Sequence, residues 1–335
     1  MSLVIKTLLH NVVAMKEVLK ALRALKGKTL ILTHHNADPD AVASALSLRA
    51  LLAHFGVPAD LGVAESVSRP AQRLAERNFI IDPDCSEYDK VILVETSVPE
   101  QLASVKNVRA DMIIDHHPAG KLADGVTAKW IDDSYRSCAQ MILALFREAG
   151  VKVEKPVALW LAAGLTADTA HLRLATLKEF EDLADLLRTG LLFADVLKTL
   201  ETPVDLSERI AVLKALSRVD VWRANDLLLA ISRVASHEAA SCRALVKAGA
   251  DVAVVVAEKE NEVRISSRGR DWILEKGVDL SVIFKKVGEL VGGSGGGHNL
   301  AGSANGPDKK AIDAALKHVR KELEKAVGKQ LNRLD

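Results

Sequence analysis

Cysteine and aromatic residues are scarce in this chain, and long apolar runs are missing. Three cysteines among 335 residues, far apart and odd in number, argue against a disulfide framework and are typical of a reducing cytoplasm. No apolar run reaches about 18 residues, so we expect a cytoplasmic protein without a membrane-spanning helix. The formal net charge is only +1, so any binding of nucleic acid must depend on local basic residues.

A chain of 335 residues is long enough for two packed domains. Hydrophobic residues make up 49% of the chain and charged residues 27%, a balance that favours a buried core over disorder. In the first half, apolar runs of strand length alternate with helical patterns. This alternation predicts a doubly wound, mainly parallel sheet, whose carboxyl edge is where ligands bind.

Histidine and acidic residues cluster where the predicted strands end. The first cluster follows Thr29–Leu32, the second follows Asp89–Val94, and the third follows Ala110–Ile114. A further aspartate follows a helix-like apolar run, Val157–Leu165. The members of these clusters are His34, His35, Asp38, Asp40, Glu95, Asp115, His116, His117 and Asp168.

Each cluster alone has an ordinary explanation, because Asp and Asn are common in turns and helix caps. Together, however, they come from neighbouring strand ends and are expected to converge at one sheet edge. Mixed carboxylate and imidazole sets suit Mn, Fe, Co, Zn or Mg, and the ligands exceed what one ion needs. The clusters therefore predict a site for two divalent ions, an arrangement used for displacement at phosphorus.

The second half has a different character. A helical connector is expected to end near Arg218, followed by strand pairs and a glycine-rich loop, Gly292–His298. Such a loop has the form of a backbone-amide nest for an anion, although many glycine-rich turns are merely flexible. Arg264, Arg268 and Arg270 strengthen the anion interpretation because arginine suits phosphate. The alternative for Arg264 and Arg270 is an ordinary surface charge, and this alternative is favoured for Arg270.

Two motifs make the chain resemble the DHH phosphoesterase superfamily. They are the HxxxDxD turn that starts at His34 and the triplet Asp115-His116-His117. Val263–Arg268 and the later Gly295-Gly296-Gly297-His298 resemble the DHHA1-type companion domain. The resemblance implies a DHH domain over 1–200, a helical linker over 201–218 and a smaller α/β DHHA1 domain over 219–335.

The resemblance also implies metal ligands. His34 and Asp38 would hold one ion, and three residues would hold the other, namely Asp40, His116 and Asp168. Position 95 would bridge the two ions; the family normally has Asp there, whereas this chain has Glu95. Mn²⁺ is the expected cofactor, with Mg²⁺ and Co²⁺ as alternatives.

Catalytic and substrate-binding roles are also expected. The expected catalytic residues are Asp40, Asp115 and His117, and the resemblance implies that His117 contacts the scissile phosphate. It also implies that Arg268 and His298 bind phosphate, with Gly295, Gly296 and Gly297 against the nucleotide end. Arg264 is added to the expected substrate-binding residues because it lies on a strand of the same domain. His35, an extra histidine beside His34, is expected to face the substrate or to support the metal ligands.

The implied function is a metal-dependent exonuclease that hydrolyses single-stranded DNA or RNA to nucleoside monophosphates, with 3′→5′ polarity favoured. The strand would lie in a groove between the two domains. One alternative is a phosphodiesterase for very short oligonucleotides or cyclic dinucleotides, as in nanoRNase-type relatives. Because Glu95 departs from the family pattern, another alternative is a weakly active single-strand-binding partner of a replication or repair protein. The sequence leaves the oligomeric state open.

Overall fold

A computed structural model describes residues 3–75, 79–202 and 204–334 of the chain. The chain forms two compact units, Met1–Thr202 and Pro203–Asp335. The helices among the described residues are all too short or too polar to cross a membrane.

The first unit contains the predicted parallel sheet. Its strands are β1 (Thr29–Thr33), β2 (Ala59–Val63), β3 (Phe79–Ile81), β4 (Lys90–Val94), β5 (Met112–Asp115) and β6 (Ala128–Ile131). They pair in the order β3-β2-β1-β4-β5-β6, and every neighbouring pair is parallel. The chain winds outward in one direction from β1 and in the other from β4, so the topological switch point lies between these strands. The prediction of a doubly wound α/β fold is confirmed.

Helices cover this sheet, and their ends follow local signals. They are α1 (Leu3–Arg23), α2 (Pro39–His54), α3 (Gln72–Ala75), α4 (Cys138–Ala149), α5 (Lys155–Asp168), α6 (Leu177–Leu187) and α7 (Phe193–Leu200). Ser137 caps α4 by accepting a hydrogen bond from the amide of Gln140, and the helix ends at Gly150 with φ +68°. Helix α5 packs against α2 and α4 and so brings its carboxyl end to the sheet edge.

The second unit is a seven-stranded mixed sheet with helices. Its strands are β7 (Asp220–Ala224), β8 (Leu227–Val234), β9 (Val252–Glu258), β10 (Val263–Gly269), β11 (Ser294–His298), β12 (Ala301–Gly306) and β13 (Asn332–Arg333). Their order is β11-β12-β10-β9-β8-β7-β13, and only β8 and β9 pair in parallel among them. Its helices are α8 (Leu206–Ser217), α9 (Glu238–Ala248), α10 (Leu280–Leu290) and α11 (Ile312–Val327).

Helix α8 and strand β11 lie in segments for which the sequence predicted a linker and a loop. Helix α8 lies within 201–218, the segment predicted as a linker, and packs against β8 and α9. The predicted glycine-rich loop is instead largely strand β11, paired antiparallel with β12. A Cβ at Gly295 would lie 2.0 Å from the carbonyl oxygen of Phe284 in α10, so this glycine permits close helix–strand packing. The prediction of a loop was wrong because this tertiary contact is not visible in local sequence.

Short 3₁₀ helices complete both units. They span Arg69–Ala71, Cys85–Glu87, Pro99–Leu102, Lys121–Ala123, Asp271–Lys276 and Lys309–Ala311.

Candidate metal centre

Four predicted ligands meet at the carboxyl edge of the parallel sheet. Asp40 lies in the first turn of α2, after β1, and Glu95 follows β4 directly. His116 follows β5, and Asp168 is the last residue of α5. One ligand atom from each of these four side chains lies within 4.8 Å of the others. The two strands at the topological switch point, β1 and β4, thus supply two of the four groups.

Asp40 is fully buried and is held by the amino end of α4. Its carboxylate accepts hydrogen bonds from the amides of Cys138 at 2.6 Å and Ala139 at 3.0 Å. Burial, followed by the negative charges of Glu95 and Asp168, raises the pKa of Asp40 well above its ordinary value. The carboxylate is therefore fixed in position, while its negative charge is poorly compensated by the protein alone.

His116 lies between two carboxylates. Its Nε2 is 3.0 Å from Glu95 Oε1 and 3.3 Å from Asp168 Oδ2, and its Nδ1 is 3.2 Å from the carbonyl oxygen of Tyr135. Burial opposes the charged form, but the hydrogen bonds to Asp168 and Glu95 outweigh it and raise the pKa of His116 to about 11. Both ring nitrogens face acceptors, so the imidazole is positively charged at neutral pH.

Glu95 has two features typical of a functional position. Its backbone adopts a left-handed conformation with φ +66°, which is unusual for a residue other than glycine. Its Oε1 contacts His116, but its buried Oε2 has no hydrogen-bond partner among the described residues. Burial raises the pKa of Glu95 against the hydrogen bond from His116. A buried carboxylate oxygen without a partner costs free energy that a bound cation would offset.

These residues fit a divalent ion. Three carboxylates face one imidazole, so the negative charge exceeds the positive charge by two when all the carboxylates are ionised. All the ligand atoms are oxygen or nitrogen, as hard and borderline divalent ions prefer. Asp40, Glu95, His116 and Asp168 would hold the ion.

His117 belongs to a second, overlapping group with Glu95 and His116. Its backbone amide and Nδ1 each lie 3.0 Å from Asp115 Oδ1, while the other oxygen of Asp115 accepts a hydrogen bond from Ser97. The hydrogen bond with Asp115 raises the pKa of His117 despite partial burial. Asp115 is buried and His117 is exposed, so Asp115 holds an imidazole whose Nε2 is available to a ligand.

The remaining predicted residues of the first turn lie outside these two groups. His34 Nδ1 is 2.8 Å from the carbonyl oxygen of His35, and His35 Nδ1 is 3.1 Å from that of Gln101. Asp38 caps α2 by accepting a hydrogen bond from the amide of Ala41 at 3.0 Å. The assignment of His34 and Asp38 to a first ion, and of His35 to substrate, stays a prediction.

The predicted phosphate-binding residues lie in the second unit. Arg268, on β10, is half-buried and donates a hydrogen bond to the carbonyl oxygen of Ser267 at 2.7 Å. Arg264 lies on the same strand but pairs with Glu262 at 3.0 Å. His298 is exposed at the end of edge strand β11, together with Gly297, whereas Gly295 and Gly296 are half-buried. Their roles also stay predictions.

Sequence reasoning missed Gly164, which permits Asp40 to lie where it does. A Cβ on this α5 residue would lie 2.5 Å from Asp40 Oδ1 and 2.9 Å from the Cβ of Ala139. It also missed that the amides of Cys138 and Ala139 hold Asp40. The one available signal was a lone glycine inside the apolar helical run that ends at Asp168.

Both halves of the chain match known protein families. The family model described as the DHH family, N-terminal domain, matches residues 28–165, and the DHHA1 domain model matches residues 229–325. An uncharacterized protein of Methanocaldococcus jannaschii is 37% identical over 307 residues, covering 88% of this chain and 92% of that protein. The crystal structure of an exopolyphosphatase-related protein from Bacteroides fragilis, 16% identical, covers 93% of this chain and 97% of its own with a TM-score of 0.60, which shows a shared fold.

Other relatives match only in part. A probable manganese-dependent inorganic pyrophosphatase of Shouchella clausii is 26% identical over 168 residues, which are 45% of this chain. The match spans about half, 51%, of that pyrophosphatase. A second uncharacterized protein of M. jannaschii is 28% identical over 90% of this chain, and the match spans 65% of that longer protein.

The protein is a phosphoesterase with a candidate divalent-metal centre, as the fold, the site and both domain matches indicate together. The chain belongs to the DHH family, whose hydrolases act on phosphoester or phosphodiester bonds, and it carries a DHH N-terminal domain followed by a DHHA1 domain. The resemblance stated from the sequence is therefore confirmed.

The charge state of His116 leads to a prediction about metal binding. Since its pKa is raised to about 11, His116 must lose a proton before its nitrogen can bind an ion. We expect Mn²⁺ binding near neutral pH to release at least one proton and its affinity to rise about tenfold per pH unit. Calorimetric titrations in two buffers of different ionisation enthalpy measure this release. A Mn²⁺ affinity independent of pH between about 6 and 8 would contradict this description of the site.

Proposed function

We propose that this protein is a divalent-metal-dependent phosphodiesterase that removes nucleoside monophosphates from the end of single-stranded DNA or RNA. The main supporting observation is the group of Asp40, Glu95, His116 and Asp168, of which the first two are buried. Glu95 Oε2 in this group has no hydrogen-bond partner among the described residues. When bound there, a divalent ion would supply positive charge to the phosphate oxygens and to the attacking water. Mn²⁺ is proposed, since the partial relatives include manganese-dependent pyrophosphatases.

The protein's own residues have separate tasks in this reaction. Asp40, fixed by two amides of α4, sets the position of the ligand group. His117, held at Nδ1 by Asp115, presents its Nε2 to a phosphate oxygen. In the charged form, which the hydrogen bond with Asp115 favours, this imidazole donates a charge-assisted hydrogen bond to the phosphate. The imidazole thereby stabilises the negative charge that develops on the phosphate oxygens, and it is already in position before the reaction.

Support for a nucleic-acid substrate comes from the second unit. The DHHA1 match spans residues 229–325, whereas the pyrophosphatase match covers less than half of this chain. On β10, Arg268 has no carboxylate within salt-bridge distance among the described residues, so its charge is available to a phosphate. A substrate with several phosphates and bases can make use of such a second domain.

One assay tests this proposal. Labelled single-stranded DNA, single-stranded RNA, a dinucleotide and pyrophosphate are each incubated with Mn²⁺ and, separately, with EDTA. We expect Mn²⁺-dependent release of nucleoside monophosphates from the long strands. Cleavage of the dinucleotide alone would favour the short-oligonucleotide alternative, and hydrolysis of pyrophosphate alone would overturn the proposal. Binding of the strands without any hydrolysis would leave the non-enzymatic alternative.

Arg268 and Arg264 form a matched pair for testing the phosphate-binding role. Arg264 has its charge compensated by Glu262, whereas Arg268 donates a hydrogen bond to a backbone carbonyl and has no carboxylate within salt-bridge distance among the described residues. We therefore expect Arg268→Ala to raise KM for a single strand about tenfold with little change in kcat, and Arg264→Ala to raise it much less. Steady-state kinetics on both variants measure the difference. Equal effects of the two substitutions would refute the role given to Arg268.

A further inference from the structure

A surface of cationic and aromatic side chains lies on β7 and α11 of the second unit. Its centre is Trp222, a half-buried residue of β7, with the guanidinium of Arg320 from α11 lying 4.3 Å from the ring centroid. Two cavities, of about 630 Å³ and about 460 Å³, both include this pair in their lining. We call the pair and the two cavities the Trp222 surface.

Positive charge predominates on the Trp222 surface. Its basic lining residues are Arg218, Arg233, Lys317, Arg320 and Lys321, and its acidic lining residues are Asp220, Asp313 and Glu324. Asp220 is paired with Arg333, and Arg233 with Glu258, both of which lie outside the cavities. The other four cations form no salt bridge in the part of the chain that the structure describes. Their charge is therefore available to an anionic ligand.

The lining favours a polar ligand over an apolar protein segment. Its aliphatic members, Ile231, Leu316 and Leu331, are buried, with exposed fractions of 7%, 8% and 3%. The accessible part is thus the Arg320 guanidinium, which lies over the Trp222 ring, and the charged side chains around it. A guanidinium held on an aromatic ring offers a plane on which bases stack, while phosphates pair with the cations beside it.

We propose that the Trp222 surface binds single-stranded nucleic acid, with a base stacked on the Arg320 guanidinium that lies over Trp222 and the adjoining phosphates held by the edge of Arg320 and the lysines of α11. Each cavity has the volume of a small-ligand site, enough for a nucleotide-sized group. In the sheet, β7 is five strand spacings from β11, about 24 Å. The Trp222 surface is therefore distinct from the predicted phosphate contacts near His298. It deepens the proposed function by assigning a second contact to the same class of substrate.

Binding to the full-length chain is measured without hydrolysis, so that this inference is tested separately from the enzymatic activity. A fluorescein-labelled single strand of about 20 nucleotides is titrated in EDTA and followed by anisotropy. We expect Trp222→Ala and Arg320→Ala each to raise Kd about tenfold, with Trp222→Phe raising it less because a phenyl ring still supports the guanidinium. Arg320→Ala should also reduce the salt dependence of binding by about one counterion.

Lys325→Ala is the matched control. Lys325 lies on the same helix, but its ammonium pairs with Glu322 at 2.6 Å and it does not line either cavity. This substitution removes one positive charge and should leave Kd unchanged. Thermal unfolding of each variant shows whether it is folded, and Arg320→Ala avoids the packing loss that Trp222→Ala entails.

The binding measurements distinguish a nucleic-acid contact at the Trp222 surface from a protein contact. An unchanged Kd in folded Trp222→Ala and Arg320→Ala, or an equal loss in all variants including Lys325→Ala, overturns the inference. A change in sedimentation behaviour with unchanged Kd would assign the surface to a protein contact instead, and also overturns it. If the strand binds as expected but is not hydrolysed with Mn²⁺, the proposed activity fails and the Trp222 surface stands.

Discussion

Asp40→Asn is expected to lower metal-dependent hydrolysis at least about a thousandfold, because it removes a charge from the ligand group and several kcal/mol of transition-state stabilisation with it. Asp40 is fully buried beside Glu95, His116 and Asp168, so the substitution leaves this group with two carboxylates instead of three. The rate of strand hydrolysis and the Mn²⁺ affinity, measured on the same preparation, should fall together.

Asp40→Asn is also expected to change the stability of the first unit. Two oxygens of Asp40 accept hydrogen bonds from two amides, and asparagine has only one acceptor oxygen. Loss of one buried hydrogen bond costs about 1–3 kcal/mol, offset in part by relief of repulsion among the carboxylates. Asp124→Asn, at an exposed aspartate of the same unit, is the control. Activity of Asp40→Asn close to that of the Asp124→Asn control would show that Asp40 does not hold the catalytic ion.

Gly164→Ala is expected to destabilise the first unit and to remove most of the activity. At an ordinary helix position this change stabilises by about 0.5–1 kcal/mol. Here the new Cβ would lie 2.5 Å from Asp40 Oδ1, 2.9 Å from the Cβ of Ala139 and 3.1 Å from the Cβ of Ala43. Overpacking of this kind costs about 1–3 kcal/mol, so the sign of the effect is reversed. Denaturant unfolding and hydrolysis rates measure the two losses.

A double-mutant cycle shows whether Gly164 acts through Asp40. In Asp40→Ala the carboxylate is absent, so the added methyl group of Gly164→Ala meets fewer atoms and should cost less stability than in the wild-type chain. Additive losses in the double variant would mean that the methyl group acts only through Ala139 and Ala43. Gly164 would then be a packing residue without a part in positioning the site.

The general position of the site could be predicted from the sequence, since buried parallel strands are continuous apolar runs and the residues after them share one edge. Asp40, Glu95 and His116 were found in this way, and Asp168 was found at the end of a helix-like apolar run. The structure brings the four together. The hydrogen bonds that hold these side chains in position could not be predicted. The amides that hold Asp40 come from residues about 100 positions later, and no local pattern links the two segments.

In the second unit, two strands could not be predicted from local sequence. The residues of β12, Ala301–Gly306, are small or polar and have little strand propensity, and β11 consists largely of glycine. Both become strands through pairing with each other and through contact of β11 with α10. Tertiary contact here overrides local preference, which is why a loop was expected.

The most direct test is anomalous diffraction from crystals soaked in Mn²⁺ and recorded at the manganese absorption edge. The proposed site predicts a peak within bonding distance of Asp40, Glu95, His116 and Asp168, with Glu95 Oε2 among the ligands. A second peak at His34 and Asp38 would add the other predicted ion. Absence of any peak at the four residues, in crystals that show manganese elsewhere on the protein, would contradict the proposed metal centre.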